Sequence, residues 1–108
     1  MAAFLDPAAL ETVARHLNGH ADDLRGRATR LVAAAETARW RSPAAVSFRD
    51  DVRRLALAFR RSAGELDDAG HALRRHAAAV RRAEAVVRAA EHAAMAAVHG
   101  IEHVLGVG

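Results

Sequence analysis

Cysteine, lysine and tyrosine are missing from this 108-residue chain; tryptophan occurs once, proline twice and glycine seven times. Without cysteine there is no disulfide framework, no thiolate metal site and no cysteine nucleophile. So little proline and glycine excludes disorder by composition and a loop-rich all-β fold. Without lysine, all 16 basic residues are arginine, and against 13 acidic residues they leave a net charge of +3. Nothing titrates between neutral pH and arginine, so the isoelectric point is very high. The small net charge is the better guide to nucleic-acid binding. No uninterrupted apolar run nears the ~20 residues that span a bilayer. The opening residues, Met1-Ala2-Ala3-Phe4-Leu5-Asp6-Pro7, lack the basic and long apolar stretches of a signal peptide. Any export is therefore expected by a route that does not read such a peptide.

What is present is helix grammar, twice. Asp6-Pro7 and Ser42-Pro43 each place a capping side chain before a proline at the first helical position. Leu5 and Leu10 fit a hydrophobic staple around the first start. The first helix is expected over about 7–39, the turn over 40–42, the second helix over about 43–99, and a fraying tail over 100–108. In the first helix Leu10, Leu17, Leu24 and Leu31 recur every seventh residue, with Ala14, Ala21, Ala28 and Ala35 four residues after each. In the second, one seam series runs through Ala45, Val52, Phe59, Leu66, Leu73, Val80, Val87, Ala94 and Ile101. The other runs through Phe48, Leu55, Ser62, Ala69, His76, Ala83, Ala90, Ala97 and Val104. An alternative breaks the second helix near Gly64 and Gly70 and gives three helices. Acid-before-base pairs at i,i+4 (Glu11/Arg15, Asp23/Arg27, Asp50/Arg54, Glu84/Arg88) support both helices by a few tenths of a kcal/mol each.

The fold expected is all-α: an antiparallel two-helix hairpin that dimerises into a four-helix bundle. Folding back at residues 39–43 sets the start of helix one opposite roughly His76. About twenty residues of helix two, ~30 Å at 1.5 Å per residue, then overhang with their apolar seam uncovered. A second hairpin is the natural cover.

The turn holds the single tryptophan, in Trp40-Arg41-Ser42-Pro43. A tryptophan turn midway through two patterned helices, in a chain of about this length without a signal peptide, resembles the WXG family of type VII (ESX-type) secretion substrates. The resemblance covers nearly the whole chain, and Phe48, Val52, Leu55 and Phe59 after the turn are similar to the family pattern. It implies a secreted or pre-export cytoplasmic protein acting as a homodimer, or as a heterodimer with a related hairpin or larger effector that engages the secretion machinery. Two departures stand out. Ser42 replaces the motif's glycine. The family's Tyr-x-x-x-Asp/Glu export signal survives only as Val80-Arg81-Arg82-Ala83-Glu84, with no tyrosine. That departure points to a partner that supplies the signal, or to a relative that is not exported.

Other patterns support other chemistry less. Arg53, Arg60, Arg74, Arg81 and Arg88 share one heptad position, and Arg54, Arg61, Arg75 and Arg82 the next, interrupted by Asp67-Asp68. They read as a basic ridge away from the seam, either a solvated face or a contact for phosphates. The second option makes a cytoplasmic nucleic-acid-associated dimer the alternative function. No aromatic residues interleave the ridge. Among seven histidines, His16/His20 and His99/His103 have the i,i+4 spacing of metal pairs, but without an HExxH motif or a cysteine they define no metal centre. His76 reads as a polar register-setter on the seam. Ser42 and Ser62 have no evident base nearby, and a seam of Ala, Leu and Val offers no catalytic pocket. The expectation is a non-enzymatic interaction protein without cofactor or metal.

Overall fold

In the computed structural model, which describes residues 6–37 and 41–106, the chain forms two antiparallel helices. Helix α1 spans Pro7–Thr37 and helix α2 spans Pro43–Val104. Both capping signals act as the sequence implies. The Asp6 carboxylate accepts from the Ala8 amide at 3.0 Å, and the Ser42 hydroxyl from the Ala45 amide at 3.2 Å. The staple residue Leu5 and the turn residue Trp40 lie outside the described residues.

Helix α2 is a single rod of 62 residues. At 1.5 Å per residue it measures ~93 Å, which accounts for the molecule's longest dimension of 96 Å. It breaks at neither Gly64 nor Gly70, so the three-helix alternative does not hold. It also passes through Gly100, where the sequence suggested fraying, and ends at Val104. There Gly106 adopts φ +75° and donates its amide to the His103 carbonyl at 3.2 Å, a glycine-terminated helix end.

The core is made of alanine. Ala14, Ala21, Ala28 and Ala35 of α1 are buried, as are Ala56, Ala63, Gly70 and Ala77 of α2. Each helix thus carries four small residues seven apart, and each small residue follows a large one by four: Leu10 then Ala14, Phe59 then Ala63. Small side chains let the two backbones approach closely, while the large ones flank the contact. This corrects the second expected series of α2. Leu55 is 46% exposed and Phe48 48%; Ser62, Ala69 and His76 are exposed as well. Bulky residues there would hold the helices apart. The small column four residues after Val52 takes the inner position, and His76 sets no register in this seam.

The register follows from those columns and from the charges beside them. The residues that continue the small column of α2 are Glu84 and Glu91, and there α1 runs out. Glu11 pairs with Arg81, Arg25 with Asp67, and Glu36 with Arg53. Glu11 and Arg25 are two heptads apart, as are Asp67 and Arg81. The sign alternates along the hairpin, so a two-heptad slip would set Arg25 beside Arg53 or Arg81. These exposed pairs add little stability but discriminate register. Within each helix the expected i,i+4 pairs give way to i,i+3 pairs, Asp22–Arg25 in α1 and Asp50–Arg53 and Asp51–Arg54 in α2, and Glu11 reaches across to α2 instead of to Arg15.

Candidate functional site

Among the described residues no large apolar side chain is fully buried; the best covered, Leu10, retains 7% exposure. The other large residues of the seam, including Leu17, Leu24, Leu31, Val52, Phe59, Leu66, Leu73 and Val80, are half-buried. Two helices side by side can shield only the line where they touch, and alanine occupies that line. The large residues flank it and remain partly wet.

Beyond Val80 there is no cover at all. Every described residue from Arg81 onward is exposed. Gly70 lies against Ala14, so the start of α1 falls opposite about residue 77, close to the expected His76; side chains of α1 reach as far as Arg81, and the overhang begins near residue 82. The 23 residues from there to Val104 project ~35 Å. Val87 is 55% exposed and Ile101 59%. Val80, Ala83, Glu84, Val87, Arg88 and Glu91 line an open groove along this segment. Val80 and Glu84, which the resemblance implied as the remnant of an export signal, are both in that lining.

A second open groove lies between the helices nearer the turn, lined by Arg27, Arg30, Leu31, Ala34, Leu55 and Phe59. It was not legible as a unit, because its six residues come from two helices whose relative register the sequence did not specify. Their heptad positions, adjacent to the seam on the same side of each helix, were the available signal.

The polar centre of the hairpin is Asp67. Its carboxylate accepts from Asn18 at 2.7 Å and from Arg25 at 2.5 Å. The Arg25 hydrogen bond, and then the Asn18 hydrogen bond, hold the Asp67 carboxyl below its ordinary range. The same contact with Asp67 raises Arg25. Asp67 interrupts the expected arginine ridge at the place where α1 presents a cation. Arg53 and Arg81, in the same heptad column, pair with Glu36 and Glu11. That column therefore borders the seam instead of lying opposite it, and its arginines are partly engaged by α1.

Of the turn motif, Arg41 and Ser42 are exposed, and Ser42 caps α2. His16 and His20 share a shallow surface depression with Arg15, Gly19 and Asp23, and His99 lies 3.7 Å from Glu102. Among the described residues no three metal-ligating side chains converge, and no helix is long and apolar enough to cross a membrane. Comparison of the chain with known protein families, with curated proteins and with solved structures finds no match.

Proposed function

We propose that this chain is a non-enzymatic interaction protein, a helical hairpin that works in complex with another helical chain as a type VII secretion substrate or as the partner of a secreted effector. The observation that carries the reading is the core itself: alanine fills the hairpin contact, while the large apolar side chains beside it and along the overhang stay in water. Leaving so much apolar surface wet is unfavourable by about 25 cal/mol per Å², and a covering chain removes that cost. The Trp40-Arg41-Ser42 turn and the acid-bearing Val80–Glu84 segment support the secretion context. On this reading the protein is cytoplasmic before export and leaves with its partner, which supplies the missing tyrosine signal.

The test is co-purification of the tagged chain from its native host, followed by mass measurement. A stoichiometric complex with a second helical hairpin or a larger effector is the expected result. A chain recovered alone, fully helical and monomeric at micromolar concentration, overturns it. Retention on DNA that falls steeply with salt would favour the nucleic-acid alternative instead.

A further inference from the structure

The two flanks of the hairpin are unlike. The side-chain hydrogen bonds and ion pairs that cross between the helices join Glu11 to Arg81, Asn18 and Arg25 to Asp67, and Glu36 to Arg53. These residues follow the Leu10 and Val52 columns by one place or, for Glu36, by five. That spacing puts them all on one flank of the contact. The opposite flank follows the same columns by three and six places. It holds Arg27 and Arg30 of α1 and Leu55 of α2, and the body groove with its floor of Leu31, Ala34 and Phe59 runs along it. Arg27 and Arg30 are exposed. Near the turn the carboxylates are engaged elsewhere, Glu36 and Asp50 with Arg53 and Asp51 with Arg54. Among the described residues neither Arg27 nor Arg30 forms an ion pair, not even with Asp23 one turn before Arg27.

We propose that this groove seats an acidic amphipathic helix of a different chain. Two carboxylates one turn apart on that helix reach Arg27 and Arg30, and its large apolar side chains rest on Leu31, Ala34, Leu55 and Phe59. This rests on the reading of the chain as an interaction protein and names the chemistry of the partner. Two rods side by side leave a trough that a third rod fits, the helix-in-groove mode of recognition. Arg27 and Arg30 stand three residues apart on one face of α1, the spacing at which a facing helix presents its residues i and i+3 or i+4. A guanidinium group binds a carboxylate through paired N–H donors, and an apolar floor beside the pair keeps water away from it. On the α2 side the flank continues through Ala58, Ser62 and Ala69, all exposed and small. A docked helix therefore runs on along α2 without a bulky residue in its way. A second copy fits less well. Two copies meeting about an axis through the groove would set Arg27 and Arg30 against the same residues, like charge against like, and a second copy has no tyrosine to contribute.

Two fluorescein-labelled synthetic peptides, each of about 28 residues so that they can be helical, test this. Both carry the same stripe of leucine and alanine; beside it one has glutamate pairs and the other lysine pairs. Fluorescence anisotropy should show the wild-type chain binding the glutamate peptide at least roughly tenfold more tightly than the lysine peptide. Arg27→Glu with Arg30→Glu should invert that preference. Arg60→Glu with Arg74→Glu makes the same change of net charge in the column of Arg53 and Arg81, on the other flank, and should leave the preference in place. Circular dichroism checks that the variants stay helical. Equal affinity for the two peptides, binding of neither, or a preference that both double variants change alike overturns the assignment. A DNA duplex that outcompetes the glutamate peptide gives the groove to phosphates, and self-association abolished by Arg27→Glu with Arg30→Glu gives it to a second copy; either overturns it too. In each of these cases co-purification with another helical chain leaves the interaction reading intact. A chain recovered alone as a monomer that binds neither peptide sinks both.

Discussion

Gly70 of α2 lies against the backbone of Ala14 in α1: a methyl group added there would stand 3.4 Å from the Ala14 carbonyl oxygen and 3.4 Å from the Asn18 amide. That is ordinary van der Waals contact with nothing to spare. Gly70→Ala should therefore be tolerated, and its gain in helix propensity, ~0.5–1 kcal/mol, should appear as a modest rise in Tm. Gly70→Leu has no such room and should push the helices apart, lowering stability by about 1–3 kcal/mol in urea unfolding. Equal melting of the two variants would contradict the close approach at this point.

Gly64 is the control. A methyl group there meets nothing within 4 Å, so Gly64→Ala should stabilise the helix by ~0.5–1 kcal/mol through propensity alone. A loss of stability would mean that α2 bends at Gly64 in solution.

Ala63 and Leu55 separate the hairpin contact from the association surface. Ala63 is completely buried, whereas Leu55 is 46% exposed. Ala63→Leu should cost about 1–3 kcal/mol of hairpin stability by overpacking. Leu55→Ala should leave the helical content of the isolated chain nearly unchanged and weaken its binding of a partner helix. A reversed pattern, with Leu55 controlling helicity, would restore the seam first read from the sequence.

Asp67 makes the hairpin sensitive to acid. Its carboxyl is depressed in the folded chain by Arg25 and Asn18. Its contribution is therefore present above the unfolded carboxylate value of ~3.9 and is lost as pH falls through the lower folded value. A thermal-melt series from pH 6 down to pH 2 should show this loss. Asp67→Asn should flatten the profile below the unfolded carboxylate value of ~3.9 while lowering stability at pH 6. An unchanged acid limb in the variant would assign the loss to other carboxylates.

Trp40→Ala should weaken assembly or export more than Arg81→Ala. Arg81 forms a surface pair with Glu11, the kind of contact worth about 1 kcal/mol or less. A tryptophan at the tip of a hairpin offers a much larger apolar area. Secretion assays and melts of the two variants in parallel decide the comparison, and equal behaviour would remove the special role of the turn.

The sequence alone determined the element types, their starts and the existence of an uncovered segment. Proline after a capping residue can begin a helix but cannot sit inside one without disrupting it, so Asp6-Pro7 and Ser42-Pro43 left little choice. The seven-residue repeat likewise fixed which stripe was apolar. It did not fix which neighbour of that stripe faces α1. Beside the column of Val52, Phe59 and Leu66, the residues three places on and four places on from Val52 or Leu66 both fit an apolar pattern, and they lie on opposite flanks. Only the approach of a second backbone distinguished them, by admitting Ala56, Ala63, Gly70 and Ala77 and leaving Phe48 and Leu55 outside. The rule already visible in α1, large then small four residues later, would have found that column. Tertiary structure also decided the charges. Arginines that read as one ridge broken only at Asp67-Asp68 divide according to whether α1 places Glu11 or Glu36 beside them, because an ion pair across the hairpin depends on the distance between side chains of the two helices and not on spacing within one helix.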